Sequence, residues 1–429
     1  MGYGFRRFSA ARPVLALITI VFCGTLSASA QYSTIFSFPS TSSLNEFPSS
    51  TPIADSQGNL YGTTGFSVES PGGVYELTPA GDGTYTESFY AGFVSNGSNS
   101  DNGIDPVGVV LDPKSGNLYG ATAGGGTGGC GLVYQLTPPS VNNGNWSETV
   151  LYNFACGDDG GAPYSPLIID SAGRLYGTTS GGGASGFGTV FMLMPPSQAG
   201  GAWTEQVLHS FLGSGDGGIP QSALIMDSSG AVYGVTPYES VPNRLWGTAF
   251  KLTPTKSGPW AETVLHRFYG GQVSDTDGGK PIGPLALDGS GAVYGATEFG
   301  GAGCPSRVHT GCGTVFQLVP PATKGGAWTE NLIYQFDGLF TGAAPESGVQ
   351  FDEAGVLYGT TAAGGKNYTG EVFNLSPPSN GVGTWKIAVF PLPQKDYTIT
   401  GVLLFENTYY GTSEYDGVNG TGSVFKLQQ

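Results

Sequence analysis

The sequence predicts an all-β fold, a seven-bladed β-propeller of four-stranded blades in which the N-terminal strand closes the ring. Three observations lead to this prediction. A phrase typified by Leu-Tyr-Gly-Thr-Thr returns seven times, each repeat contains four short apolar segments, and the two ends of the chain together complete one repeat. Repeats of this length with short strands are typical of propellers.

The period is read from the tyrosine of the phrase, which recurs after 52 to 64 residues. One copy of the phrase, with the glycines at 181–183, resembles a phosphate-binding loop. We exclude that function because the phrase recurs and no Gly-Lys-Ser/Thr follows it. The marker tyrosines are Tyr61, Tyr119, Tyr176, Tyr233, Tyr294, Tyr358 and Tyr410.

The third copy shows the four predicted strands, at residues 166–170, 175–179, 188–193 and 203–211. They are rich in β-branched and aromatic residues and are bounded by Gly, Pro, Ser and Asp. An acidic residue opens the turn between the first two strands, and we interpret it as a turn former rather than a catalytic acid. These acids are Asp55, Asp112, Asp170, Asp227, Asp288, Asp352 and Glu406.

The ends of the chain predict how the ring closes. The last repeat stops after its third strand, at 423–427, and residues 32–38 match the fourth-strand pattern of 146–154. Pairing these two segments would leave no open blade edge. The glycine of the phrase lies in the second strand, where we expect neighbouring blades to bring backbones close.

The first thirty residues predict a secretory signal peptide. Arg6, Arg7 and Arg12 precede an apolar run at 14–22, and cleavage is expected after Ala30. The predicted domains are therefore the signal peptide 1–30 and a single propeller 31–429. The apolar run is too short for a membrane span, and Phe22 disfavours lipidation of Cys23. We expect a secreted monomer without a membrane span or a C-terminal anchor.

The charge of the chain disfavours nucleic acid as a partner. The formal charge is −16, and loss of three leader arginines leaves 13 basic against 32 acidic residues, or −19. Such a surface repels phosphate backbones. Glycine and proline make up 102 of the 429 residues, but periodic aromatic residues argue against disorder.

Four cysteines remain after cleavage, and four allow three connectivities. Export permits disulfides, and we favour Cys130–Cys156, which flank one strand pair, and Cys304–Cys312, which share one loop. Only His309 lies near a cysteine, which disfavours a zinc site made from them.

The full pattern joins Leu-x-x-Asp-x-x-Gly-x-Leu-Tyr-Gly-Thr-Thr, a glycine run and Gly-Thr-Val-Phe-x-Leu-x-Pro-Pro. It resembles the choice-of-anchor tandem repeat GloVer family of exported bacterial proteins, over nearly the whole mature chain. The resemblance implies an extracellular or surface repeat protein. It carries over no activity and no site residue.

A binding site is predicted where the repeat departs from its own pattern. The departures are the segment 237–246, the insertion 304–312 and the loop 269–280, which should meet at the rim of one face. Trp246 could stack on a sugar or a peptide, although these could equally be variable loops with Trp246 packed against a blade. The candidate ligand-binding residues are Tyr238, Glu239, Arg244, Trp246, Arg307 and His309.

No cofactor is predicted apart from a weak calcium candidate at Asp275 and Asp277, which lack the distal acid of a full calcium loop. His209 and His266 take a fourth-strand place where sister repeats carry Tyr152 and Tyr334, so we infer no required chemistry there. The five tryptophans that begin fourth strands are interpreted as packing residues: Trp146, Trp203, Trp260, Trp328 and Trp385.

The favoured function is a secreted, non-enzymatic propeller that binds carbohydrate or protein outside the cell. One alternative is a hydrolase or lyase acting on an extracellular polysaccharide, with Glu239 and Asp277 as a conceivable carboxylate pair. The other is a passive surface or matrix scaffold. Of the three histidines only His309 lies in a candidate loop, which disfavours histidine-based acid–base catalysis.

Overall fold

The computed structural model describes residues 30–39, 47–65, 71–90, 93, 103–140, 145–198, 200–238, 246–256, 258–270, 277–302, 304, 311–379, 381, 383–393 and 399–428. These residues form seven four-stranded antiparallel sheets in a ring, which confirms the predicted seven-bladed β-propeller. Nowhere in the described part of the chain does a helix reach the length and apolarity needed to cross a lipid bilayer.

Each blade runs from an inner strand at the channel to an outer strand at the rim, and six blades are continuous in sequence. Blade 1 contains β2 (Ile53–Ala54), β3 (Leu60–Thr64), β4 (Gly73–Pro79) and β5 (Tyr85–Tyr90). Blade 2 contains β6 (Ile104–Leu111), β7 (Leu118–Gly124), β8 (Leu132–Thr137) and β9 (Ser147–Asn153). Blade 3 contains β10 (Ile168–Ile169), β11 (Leu175–Thr179), β12 (Thr189–Met194) and β13 (Thr204–Ser210).

The remaining blades follow the same order, except that blade 7 takes its outer strand from the start of the chain. Blade 4 contains β14 (Ile225–Met226), β15 (Val232–Thr236), β16 (Thr248–Thr253) and β17 (Ala261–Arg267). Blade 5 contains β18 (Gly278–Leu287), β19 (Val293–Gly300), β20 (Thr314–Val319) and β21 (Thr329–Gln335). Blade 6 contains β22 (Gln350–Phe351), β23 (Leu357–Thr361), β24 (Glu371–Ser376) and β25 (Lys386–Pro391). Blade 7 contains β26 (Ile399–Phe405), β27 (Thr408–Ser413), β28 (Ser423–Gln428) and β1 (Gln31–Ser37).

The predicted ring closure is confirmed. Strand β1 pairs antiparallel with β28 from Gln31↔Gln428 to Ser37↔Ser423. The ring of Tyr32 stacks on Phe425 with 5.1 Å between centroids. The N-terminal strand therefore completes blade 7 and covers the edge that β28 would otherwise leave open.

The tyrosine of the repeated phrase holds the turn between the inner two strands. In the third copy, Asp170 Oδ1 accepts the backbone N–H groups of Ala172 and Arg174, and Asp170 Oδ2 accepts the Tyr176 hydroxyl at 3.1 Å. This geometry agrees with the turn-forming role predicted for the aspartates. The tyrosine hydroxyl bonds the turn aspartate in three sister copies as well, at Tyr61, Tyr233 and Tyr294.

The same tyrosine ring also packs against the next blade. Tyr176 lies edge-on to Trp260 with 6.3 Å between ring centroids, and Tyr61 lies edge-on to Trp146 at 6.1 Å. Edge-to-face pairs of this kind add to the energy of simple area burial. The tryptophans that begin fourth strands therefore pack between blades in these copies.

The expectation for the glycine of the phrase is wrong in detail. A Cβ at Gly177 would lie 2.7 Å from Phe191 Cζ and 2.7 Å from Leu167 Cδ2. Both side chains belong to the same blade, so the glycine makes room for an aromatic ring of the third strand rather than for a neighbouring backbone. Tyr134 covers Gly120 in the same way.

A repeated backbone contact joins neighbouring blades at the inner end, at six junctions within the described residues, and we call it the seam. The residue before a proline at the start of the inner strand adopts a left-handed conformation, with φ of 56° at Ile219. Its N–H donates to a carbonyl of the preceding blade, at 2.8 Å for Ile219 to Phe187. Among the described residues the bond recurs at Phe47, Asp105, Ala162, Ile219, Lys280 and Ala344.

The proline of the seam packs on a glycine of the preceding blade. A Cβ added at Gly188 would lie 3.0 Å from Pro220 Cδ and 2.1 Å from Thr179 O. Gly188 also has a φ of +88°. This is the glycine of the Gly-Thr-Val-Phe phrase, and a side chain at this position would force the two blades apart.

We predict that Gly188→Ala destabilises the protein by roughly 2–5 kcal/mol, because backbone strain of about 1–2 kcal/mol adds to overpacking of about 1–3 kcal/mol. Denaturant unfolding measures the change. Gly186→Ala is the matched control, because Gly186 has a similar φ of +79° and nothing within 4 Å of the added Cβ. Equal losses in both variants would contradict the seam contact.

Candidate functional site in the central channel

The inner strands enclose a central channel that contains a cavity of about 340 Å³. The residue that follows each seam proline lines this cavity, so six blades each contribute one side chain at the same level. All six differ, whereas the residue that follows each of them is serine or glycine in every copy. They are Ser49, Val107, Tyr164, Gln221, Ile282 and Glu346, which we call the channel ring.

The channel ring is polar and aromatic on part of its circumference. Tyr164 is 46% exposed, and Gln221 and Glu346 are also exposed within the channel. A site with one aromatic face and a few polar side chains on a rigid frame is typical of small-ligand binding. The backbone of the ring is held by the seam, so its side chains project from fixed positions.

A charged group lies at the mouth of the channel, where a second, more open cavity of about 440 Å³ adjoins the first. Glu298, Glu346 and Glu414 line it together with Lys280. The Lys280 ammonium forms an ion pair with Glu298. We call these four residues the mouth cluster.

The mouth cluster is electrostatically asymmetric. Glu346 is open to the channel on one side, but desolvation by the surrounding channel walls raises its pKa, and the charge of Glu298 raises it further, while Lys280 partly opposes the change. Burial alone would lower the pKa of Lys280, but its hydrogen bond to Glu298 together with the nearby charges of Glu298, Tyr238 and Glu346 outweighs burial and raises the pKa. Lys280 is thus held charged beside Glu298, whereas Glu346 takes up a proton more readily than an ordinary glutamate.

The predicted rim residues lie next to this mouth where the structure describes them. Tyr238 is 46% exposed, and Lys280 Nζ lies 6.0 Å from the centre of its ring. Trp246 is partly buried and packs edge-on against Phe299 with 5.4 Å between centroids. The backbone carbonyl of Trp246 accepts the Lys280 N–H, as the Phe187 carbonyl accepts the Ile219 N–H in the seam of blade 3.

The other predicted site residues cannot be placed in the same way. Glu239, Arg244, Arg307, His309 and Asp275 lie outside the described residues. Asp277 is described and buried, and it accepts the backbone N–H of Tyr269 at 2.8 Å. The ligand-binding role of the rim therefore stays a prediction.

Sequence reasoning missed the channel ring and the mouth cluster. A signal was present, because the residue after the seam proline differs in all six copies while the next residue is always serine or glycine. Tyr164, Gln221 and Glu346 follow Pro163, Pro220 and Pro345. The long loop insertions are the more conspicuous departures from the repeat, and they lie at the rim.

Both favoured disulfides form. Cys130 and Cys156 join the loop between β7 and β8 to the connection after β9, and Cys304 and Cys312 lie within the loop between β19 and β20. Their Cα atoms are 5.4 Å apart in each bridge. The first bridge connects the two loop types that surround the mouth, so it confirms that they share a face.

We predict that alkylation of the unfolded protein without reductant labels no cysteine of the chain from Gln31 onward, and that prior reduction exposes four thiols. Both bridges consume their thiols, so only reduction makes them reactive. Intact-mass measurement in denaturant reads the number of labels directly. Two labels before reduction would show that one of the bridges is absent.

Between the outer strands, a glutamate of one blade lies near an aromatic side chain of the preceding blade. The Tyr152 hydroxyl donates to Asp159 Oδ2 at 3.0 Å, and Glu205 of the next blade lies close to this aspartate. Burial, followed by the charge of Asp159, raises the pKa of Glu205 to about 7. The Glu205 carboxyl group therefore keeps its proton in the folded protein up to about pH 7, whereas in the unfolded chain it loses the proton at lower pH.

We predict that Glu205→Gln becomes progressively more stable than the wild type as pH rises from about 4.5 to about 7. A raised carboxyl pKa costs folding stability above the unfolded pKa, and the neutral amide removes that cost. Urea unfolding at pH 5 and pH 8 tests the difference, with exposed Glu353→Gln as a control for charge loss. An unchanged difference between the two pH values would contradict the assignment.

The comparisons with known proteins identify a repeat family. The family model of the Gloeobacter/Verrucomicrobia repeat matches residues 20–245 and again residues 200–425. No curated protein matches the chain in sequence.

Several solved structures are similar in fold. A puromycin-hydrolysing peptidase of Mycobacterium tuberculosis aligns over 88% of this chain with 11% identity and a TM-score of 0.51, and this chain spans 50% of that structure. The polysaccharide lyase Uly1 aligns over 93% of this chain and 98% of its own, with 10% identity and a TM-score of 0.49. A protein of unknown function from Dyadobacter fermentans aligns over 93% and 97%, with 11% identity and a TM-score of 0.46. At these identities the likeness concerns the fold alone.

Proposed function

The chain belongs to the Gloeobacter/Verrucomicrobia repeat family, and we propose that this member is an exported binding protein that holds a neutral carbohydrate in its central channel. The observation that carries this proposal is the channel ring, six different side chains that a repeated backbone contact presents to one cavity. Departure from an internal repeat at one concave position is expected where a ligand is bound.

The chemistry of the ring favours a sugar. An aromatic face such as Tyr164 attracts the weakly positive C–H groups on one side of a pyranose, since the centre of an aromatic ring is electron-rich. Gln221 and Glu346 offer hydrogen-bond partners for hydroxyl groups. A cavity of about 340 Å³ suits one or two sugar units.

The charge of the site favours a neutral ligand. Three carboxylates and one ammonium group line the mouth, and the chain as a whole carries a formal charge of −16. This field opposes the approach of phosphates and of polysaccharides made of uronic acids.

An extracellular location agrees with two observations. The two disulfides persist in oxidising compartments and are rare where thiols are kept reduced. Residues 1–30, which lie almost wholly outside the described range, have the pattern of a signal peptide. We therefore include secretion in the proposal.

A second candidate is a glycoside hydrolase. Glu298 and Glu346 line one cavity, and their surroundings differ, since Glu298 is ion-paired and the pKa of Glu346 is raised by burial. A glycosidase requires one carboxyl group that donates a proton and a second that stays ionised, and Glu346 and Glu298 would take these two roles.

The test exposes the purified protein to neutral, cationic and uronic acid polysaccharides, and it scores retained protein and released reducing ends together. We predict retention on a neutral polysaccharide without release. Tyr164→Ala and Glu346→Gln should each weaken binding about tenfold, or about 1.4 kcal/mol. Tyr368→Ala is the control, because Tyr368 is 75% exposed and lines neither cavity.

The other outcomes separate the alternatives. Release of reducing ends that is lost in Glu346→Gln would replace the binding proposal with the hydrolase. Binding that survives both channel variants but is lost in Tyr238→Ala or Arg244→Ala would move the site to the rim. No binding to any polysaccharide would leave a protein partner or a scaffold.

A further inference from the structure

We propose that two equivalent clusters between adjacent blades bind a divalent transition metal ion of the zinc type. Each contains a histidine from the outer strand of one blade, an aspartate from the connection to the next blade and a glutamate from the outer strand of that next blade. Cluster A is His209, Asp216 and Glu262, between blades 3 and 4, and cluster B is His266, Asp277 and Glu330, between blades 4 and 5.

In cluster A a single imidazole nitrogen faces both carboxylates. His209 Nε2 lies 3.3 Å from Asp216 Oδ2 and 3.7 Å from Glu262 Oε1. A tetrahedral zinc ion holds such ligands at about 2.0–2.2 Å, which puts the ligand atoms roughly 3.4 Å from each other. The histidine therefore stands at the required separation from both carboxylates, and the three ligand atoms all lie within 4.8 Å of one another.

Cluster B repeats this geometry independently. His266 Nε2 lies 3.4 Å from Asp277 Oδ1 and 3.6 Å from Glu330 Oε2. The side chains of both clusters are mostly buried but retain some exposure, so an ion could enter from solvent without unfolding the interface.

The ligand groups are held in place by other contacts. Asp216 Oδ2 accepts the Leu212 N–H at 2.9 Å, and Asp277 Oδ2 accepts the Tyr269 N–H at 2.8 Å. Each imidazole lies edge-on to a buried phenylalanine, with 4.7 Å between ring centroids. Such outer contacts orient the ligands of a metal before it binds.

Buried carboxylate oxygens of the clusters lack hydrogen-bond partners among the described residues. In cluster A these are Asp216 Oδ1 and Glu262 Oε1, and the latter is the atom that faces the histidine. Asp216 is the most buried of the three, with 9% of its side chain exposed. An unpartnered buried carboxylate oxygen is costly, and a cation between the groups would satisfy it.

The interface between blades 2 and 3 provides an internal comparison. There Tyr152 stands in place of the histidine, with Asp159 and Glu205 in place of the two acids, and its hydroxyl donates to Asp159 at 3.0 Å. The fold thus builds the same acid pair without an imidazole. Clusters A and B differ from this interface in carrying a histidine in place of the tyrosine, and the imidazole nitrogen of histidine can bind a metal ion.

The ligand set selects the class of metal. Imidazole nitrogen suits zinc and its transition-metal neighbours, whereas calcium and magnesium prefer oxygen ligands alone. Nε2 can bind the ion when Nδ1 carries the proton of the neutral ring. Because the ligands come from two blades, a bound ion would cross-link blade 3 to blade 4, or blade 4 to blade 5.

The experiment strips the purified protein with chelator, then equilibrates it with Zn²⁺ at pH 7.5 in excess Ca²⁺, which occupies unspecific acidic sites. Metal content by mass spectrometry should be two zinc ions per chain. His209→Tyr and His266→Tyr should each lose one ion, and the double variant both. Tyr152→His should gain a third ion, because the acid pair is already present at that interface.

The thermal unfolding midpoint of the metal-free protein shows whether a substitution damages folding or only removes metal binding. We expect this midpoint to change little in the three single variants, because tyrosine and histidine occupy the same slot in sister blades. Zn²⁺ should raise the midpoint of the wild type and leave that of the double variant unchanged. Failure to take up zinc, or uptake that none of the substitutions alters, would overturn the proposal.

Discussion

The seam between successive blades is the contact on which the rest of the propeller depends. A left-handed residue donates its N–H across the interface, and the proline that follows packs on a glycine of the neighbouring blade. These two contacts fix how one blade meets the next, and their repetition sets the curvature of the ring. They also place the residue after the proline at the channel wall, in six blades of the described chain. The backbone contact is therefore repeated, and the side chain that it presents to the channel is free to vary.

The outer interfaces follow the same division between frame and variable side chain. Blades 2 to 5 share the same outer-strand register and bulge at this position, so a tyrosine in one copy and a histidine in another are held by the same backbone. Tyr152 and His209 differ in chemistry without any change in the surrounding strands. The repeats therefore provide an internal comparison. The effect of a single side chain can be assessed at equivalent positions of different blades, where the surroundings are similar.

The sequence predicted the features that depend on local pattern. The strand count, the turn aspartates, the closure by residues 32–38 and both disulfides follow from period, turn chemistry and cysteine spacing. The environment of Gly177 was misjudged, because nothing local shows that Phe191 folds back over it. The channel ring and the metal clusters were missed since they join residues of different blades, such as His209 and Glu262. Only the curvature of the assembled ring brings such residues together, and no single repeat contains that information.

The pairing of β1 with β28 has a consequence for how the protein matures. The first strand of the chain emerges long before its partner, so it remains an unpaired edge until the last blade has been synthesised and released. Most of the ring can order in the meantime, but closure is a late and long-range step. During that interval β1 can pair with the last blade of another copy as well as with its own. Dilution at the moment of release, rather than the strength of any one contact, then decides between closed single rings and exchanged dimers.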